Sequence, residues 1–157
     1  MNFDTFFSEE LVFFLDVSSQ EELFKEMFGR MHSLGYVKES YLEALSEREK
    51  VYPTGIQTEH LGVAIPHTDS IHVNKESIGV AVLNTPVSFS HMGMPDETVD
   101  AEIIFMLAIQ KPDRQLGVLQ IITGLMQNKE MLMKIRNAED EKAIISTIKD
   151  YSSELNV

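Results

Sequence analysis

The spacing of apolar residues changes several times along the chain, and each change marks an element. Residues 10–17, from Glu10 to Val17, are short and rich in β-formers, which predicts a first strand. Ser18 and Ser19 stand three residues before Glu21 and Glu22, giving overlapping helix-capping boxes. Leu23, Met27, Met31 and Leu34 then recur at helical spacing, and Gly35 supplies the stop. His32 in this helix reads as a solvated or boundary side chain. A second helix is predicted over 38–50. Tyr41, Leu42 and Leu45 form its apolar face, while Glu43, Glu47, Arg48 and Glu49 colour the other. Pro53, Thr54 and Gly55 end it in a turn.

Beyond that turn the pattern becomes strand-like. Ile56 to Glu59 reads as a short extended piece, and Val63 to Ile65 as another that runs into Pro66 and His67. Ile78 to Leu83 predicts a buried strand, and Val87 to Phe89 a separate short one after Pro86. A polar, methionine-bearing loop spans 90–97. Residues 101–109 are nearly all apolar, as a strand covered on both faces would be. Pro112 and Asp113 open a helix that carries Leu116, Leu119, Ile122, Leu125 and Met126, with Gln115 in its first turn. Two more amphipathic helices are predicted near 129–136 and 140–151. No repeat, linker or low-complexity stretch divides the sequence, so residues 1–157 are expected to form a single domain. With strands central and helices at both ends, the fold class is α/β: a three-layer α/β/α sandwich around a mixed sheet.

Composition narrows the function classes. The chain has 13 basic and 25 acidic residues, a net charge of −12, which repels nucleic acid and anionic lipid and favours basic protein partners. It has no cysteine, which excludes disulfides, thiolate nucleophiles and cysteine-bound zinc, and suits a cytoplasmic setting. The first ten residues lack the basic n-region of a secretory signal. The apolar runs fall far short of the roughly 18 residues needed for a membrane span.

The candidate chemistry lies at His67. A proline fixes the approach to it, and Thr68, Asp69 and Ser70 follow. Taken alone, this could be a turn histidine that merely ends a strand. Nucleotide-binding glycine loops and the G-x-S-x-G nucleophile elbow are absent. His60, His67 and His72 with Asp69 allow a metal-hydrolase alternative, although none has the paired helical spacing of zinc hydrolases. A neutral imidazole can instead act as a covalent carrier, since it is nucleophilic near pH 7. Phosphoryl transfer would ask for in-line positioning and donors to the equatorial oxygens, a task suited to arginine with hydroxyl support. On its charge pattern alone, Arg48 reads as a salt-bridged helix residue.

Arg48 and Glu49, then Pro53, Thr54, Gly55 and Ile56, then Ala64, Ile65, Pro66 and His67, together resemble the signature of the IIA component of the sugar phosphotransferase system, in its fructose/mannitol-type branch. The resemblance covers roughly Val12 to Ile148. It implies that His67 takes a phosphoryl group from the phosphocarrier HPr and passes it to a cysteine of a IIB component. It also implies that Arg48 supports the phosphorylated ring, that Thr54 shapes the site, and that no metal or cofactor is needed. Mannitol- and fructose-type members usually carry a second histidine where this chain has Gln115, which can donate a hydrogen bond but cannot carry charge. Galactitol-type proteins are similar at Gln115-Leu116 and across Ile65 to His72, so the chain resembles that branch most. A IIA-like regulatory sensor of the nitrogen type is the alternative within the family. His60, His72 and His91 receive no role.

Overall fold

The computed structural model describes residues 2–155. Its five strands are β1 (Val12–Leu15), β2 (Gly55–Gln57), β3 (Gly62–Ala64), β4 (Ser77–Ser90) and β5 (Thr98–Ala108). They lie in the order β1-β4-β5-β3-β2. The β1–β4 and β3–β5 pairs are parallel, while β4–β5 and β2–β3 are antiparallel, so the sheet is mixed as expected.

Alternation along the central strands sends apolar groups to both faces. Ile78, Val80, Val82, Ile103, Phe105 and Leu107 pack with α3 (Pro112–Met126), α4 (Lys129–Arg136) and α5 (Glu141–Glu154). Ala81, Leu83, Ile104 and Met106 pack on the opposite side with α1 (Gln20–Ser33) and α2 (Tyr41–Val51). Each fully buried large side chain contributes roughly 1.5–3 kcal/mol, so this two-sided burial is the main source of stability. The α1 face is kept close by small residues. A Cβ on Gly79 would stand only 3.2 Å from Met27 Cε and 3.4 Å from Met31 Sδ.

The helix boundaries follow their local chemistry. Ser19 is the N-cap of α1 and accepts the Glu22 N–H at 3.1 Å. The Glu22 carboxylate reaches back to the Ser18 N–H and hydroxyl at 3.2 and 3.0 Å. Gly35 ends the helix with φ +85°, a conformation that a Cβ would strain. α2 starts at Tyr41 rather than near 38, because Lys38 is held in a turn by the Tyr41 N–H and donates its own N–H to His72.

Three strand predictions are corrected. The first strand covers only Val12–Leu15, because β1 is an edge strand paired to β4 over four residues, and Glu9–Leu11 form a 3-10 turn instead. β5 begins at Thr98, its exposed and buried residues alternating at that end. Residues 78–83 and 87–89 are not separate strands but parts of one, β4. Val82 faces Ile103 and Val87 faces Ala101, so the four residues Leu83 to Pro86 stand opposite Glu102. Pro86 is tolerated inside this bulge because no ladder bond there needs its missing N–H.

Gly62 sits where β3 and β5 approach most closely. A Cβ there would run into the Asp100 carbonyl oxygen and lie 2.7 Å from Val99 Cγ1. Gly62→Ala is therefore expected to lower stability by about 1–3 kcal/mol, the usual cost of overpacking. Urea denaturation measures this; an unshifted midpoint would show that the strands part freely.

Candidate functional site

The segment after β3 is pinned from both neighbouring strands. The Leu107 N–H donates to the Pro66 carbonyl at 3.0 Å, and Ile65 donates its N–H to the Thr54 carbonyl at 3.3 Å. The fully buried Tyr41 hydroxyl in turn donates to the Leu107 carbonyl at 2.6 Å. Pro66 adds a fixed φ and lacks an N–H to satisfy. His67 thus leaves the sheet at a defined point beside Leu107.

The imidazole is 7% exposed, and its Nδ1 lies 2.7 Å from the Ile65 carbonyl oxygen. A carbonyl only accepts, so Nδ1 carries the proton and Nε2 keeps its lone pair. Burial lowers the His67 pKa; the bond to Ile65 acts in the opposite direction, and the charge of Arg48 lowers it again. The ring is therefore neutral at pH 7 with its distal nitrogen available as a base or nucleophile.

Arg48 comes from the last turn of α2. Its guanidinium lies 5.1 Å from the Tyr52 ring centre, and Nη1 is 3.9 Å from Asp69 Oδ1. Asp69 is exposed, so that long ion pair is screened and contributes little. Arg48 Nε is buried and has no acceptor. Leaving such a donor unmade costs about 1–3 kcal/mol.

Thr54 is buried, and both of its donors go to Glu49. Its N–H reaches Oε2 at 2.7 Å and its hydroxyl reaches Oε1 at 2.8 Å. The sequence puts Glu49 on the polar face of the helix with Glu43, Glu47 and Arg48, yet the residue is 5% exposed. The available signal was an acidic residue in the last helical turn, where the dipole disfavours it.

Gln115 is half-buried in the first turn of α3, with its N–H donating to Lys111 at 3.0 Å. Its side chain makes no hydrogen bond among the described residues. The turn itself is held by Glu76, which pairs with Arg114 and accepts the Gln110 N–H at 3.0 Å.

The remaining histidines are dispersed. His60 lies in the β2–β3 turn, 3.8 Å from Glu59; His72 Nδ1 is 2.7 Å from Ser40 Oγ; His91 Nδ1 accepts the Gly93 and Met94 N–H groups at 3.1 and 3.2 Å. His32 stacks on Phe28. Among the described residues no three His, Asp or Glu side chains converge as metal ligands, so His60, His67 and His72 do not form the cluster that their spacing allowed. The cleft lined by Gln57, His60, Thr123 and Gln127 includes neither His67 nor Arg48. No helix among the described residues is long and apolar enough to cross a membrane.

The profile of the family "Phosphoenolpyruvate-dependent sugar phosphotransferase system, EIIA 2" matches residues 5–151. The chain belongs to this family. The galactitol-specific EIIA component of Escherichia coli K12 is 28% identical over 113 residues, covering 72% of this chain and 75% of that protein. Among solved structures, the mannitol-specific cryptic phosphotransferase enzyme IIA from Escherichia coli matches with a TM-score of 0.76 at 19% identity, over 96% of this chain and 99% of that one. The mannitol IIA in complex with phosphorylated mannitol IIB, also from Escherichia coli, matches with a TM-score of 0.74 at 17% identity, over 92% and 99%. An EIIA fold and a phosphotransferase role in a sugar phosphotransferase system follow.

The electrostatics of His67 are directly measurable. In a nitrogen-15 NMR titration, His67 is expected to hold its proton on Nδ1 at pH 7 and to titrate below the ordinary value of about 6.5. Arg48→Gln should raise that midpoint. Since the folded pKa lies below the unfolded one, His67 adds stability above that unfolded value, and the contribution is lost as pH falls through the folded midpoint. A midpoint at or above the ordinary value would show that burial does not govern the ring.

Proposed function

We propose that the chain is a cytoplasmic phosphocarrier whose His67 receives a phosphoryl group on Nε2 from HPr and passes it to a cysteine of a IIB component. The sugar or polyol then taken up and phosphorylated is of the galactitol class, a choice supported by the galactitol-specific relative. The observation that carries the phosphocarrier role is a buried His67 whose Nδ1–H is taken by the Ile65 carbonyl, leaving Nε2 unprotonated, with the charge of Arg48 near enough to lower its pKa.

In the first step the Nε2 lone pair forms an N–P bond as the donor's N–P bond breaks, its electron pair returning to the donor ring. The proton stays on Nδ1, donated to the Ile65 carbonyl, throughout, so the ring needs no tautomer change to accept the group. In the second step a thiolate forms an S–P bond and the N–P pair returns to Nε2. Arg48 holds the equatorial oxygens in both steps, through a planar fork that an ammonium cannot copy. Thr54 acts from below as part of the site's floor. Gln115 and the free N–H groups at the start of α3 add donors from the other side.

The surroundings suit a protein substrate. Tyr52, Ile71 and Leu116 leave large apolar side chains exposed on the segments carrying Arg48, His67 and Gln115. The relative bound to phosphorylated IIB supports a IIB partner of the same kind.

Incubation with phosphoenolpyruvate, enzyme I and HPr should attach one acid-labile phosphoryl group, absent from His67→Ala. Label persisting in that variant would move the acceptor elsewhere. Phosphorylated protein that transfers to no IIB would point to a nitrogen-type regulatory sensor. In stopped-flow transfer, Arg48→Lys should lose about 2.7–4 kcal/mol of transition-state stabilisation, as for one preorganised donor. Gln115→Ala should slow transfer only several-fold, in keeping with about 0.5–1.5 kcal/mol for a neutral hydrogen bond. Abolished transfer in a folded Gln115→Ala would make that amide essential.

A further inference from the structure

Glu49 is an acidic side chain buried at the end of a helix, directly after the arginine of the site. Burial pushes its carboxyl up to about 7, against the two Thr54 hydrogen bonds and the charge of Arg48. An apolar side chain could fill this space without dehydrating a titratable group. What the carboxylate does there is hold Thr54 by both of its donors, at 2.7 and 2.8 Å.

The connection does not end at Thr54. Its carbonyl accepts the Ile65 N–H at 3.3 Å, and the Ile65 carbonyl accepts the His67 Nδ1–H at 2.7 Å. Three hydrogen-bonded steps therefore run from the Glu49 carboxylate to the imidazole. At Thr54 and Ile65 the donating N–H and the accepting carbonyl belong to different peptide groups. What passes along the chain is position rather than polarisation.

We infer that Glu49 is a positioning residue for His67. By clamping Thr54 it fixes the carbonyl on which Ile65 hangs, and so sets where the Ile65 carbonyl captures Nδ1–H and which nitrogen remains to react. This rests on the proposal above that Nε2 is the reacting atom. Arg48 and Glu49 then divide one helix end between them. The first meets the incoming anion, and the second holds the floor that aims the nucleophile.

The test uses the full chain, nitrogen-15-labelled at histidine and unphosphorylated, as wild type, Glu49→Gln and Glu49→Ala. Glutamine offers one acceptor oxygen in place of two, so the His67 Nδ1–H should exchange with solvent about five- to tenfold faster, while the Nδ1–H tautomer still predominates. Glu49→Ala should populate the Nε2–H tautomer and slow phosphoryl transfer from HPr by a larger factor than Glu49→Gln. Either folded variant that keeps both the wild-type tautomer and wild-type Nδ1–H exchange would overturn the assignment. If Glu49→Ala fails to fold, the exchange rate in Glu49→Gln decides alone. Tautomer and exchange are read without any phosphoryl donor. A chain that is never labelled at His67 would therefore defeat the phosphocarrier role and leave the Glu49 result standing.

Discussion

The hydrogen bond from His67 Nδ1 to the Ile65 carbonyl is the constraint on which the site depends. It forms just past the end of β3 at Ala64. Past that point the Ile65 carbonyl accepts the imidazole N–H rather than a ladder bond. Pro66 lets the chain leave the sheet, Leu107 catches the Pro66 carbonyl from one side, and Thr54 catches the Ile65 N–H from the other. Each contact is ordinary in strength. Together they leave the ring one orientation and one tautomer, which is the preorganisation that phosphoryl transfer requires of a protein.

α2 shows how two adjacent polar residues serve opposite environments. Successive residues of a helix point about 100° apart, so Arg48 reaches toward solvent and His67 while Glu49 turns into the molecule. Arg48 keeps a partly exposed guanidinium with an unmet N–H, and Glu49 is closed off with both oxygens engaged. In a chain of net charge −12 this places one cation near His67 while the buried carboxylate of Glu49 is already occupied.

Much of this was legible in the residues. The Ser19 cap, the Gly35 stop and the proline at the start of α3 are local signals, and the helices begin or end where they say. His67, Arg48, Thr54 and Gln115 were nominated by motif, and the fold places Arg48 close enough to lower the His67 pKa, with Thr54 joined to the same segment. What stayed hidden depends on partners distant in sequence. Pro86 looked like a strand breaker because only pairing with β5 reveals the bulge that tolerates it. Glu49 reads as part of the polar helix face because its partner, Thr54, lies beyond the end of that helix. The tautomer of His67 depends on the Ile65 carbonyl, a partner that no sequence pattern names.

Glu102 is the extra residue of β5 where Gly62 faces Ala101 and Val63 faces Ile103. Before it, odd-numbered Ala101 packs on the α1 side; after it, odd-numbered Ile103, Phe105 and Leu107 pack on the α3 side. The strand is therefore written in two phases joined at one residue, and Arg136 secures the junction by holding the Glu102 carboxylate at 2.9 Å. Chain length then matters unequally along the hairpin. In the 91–97 turn a change of length leaves the faces of residues 103–107 as they are, since the junction absorbs what precedes it, although the Met92 N–H bond to the Gly55 carbonyl at 2.8 Å ties that turn to β2. Between Glu102 and Leu107 a single insertion would exchange the two faces of the strand and offer His67 the wrong neighbour. Relatives that keep the chemistry are expected to conserve that interval in length more strictly than in identity.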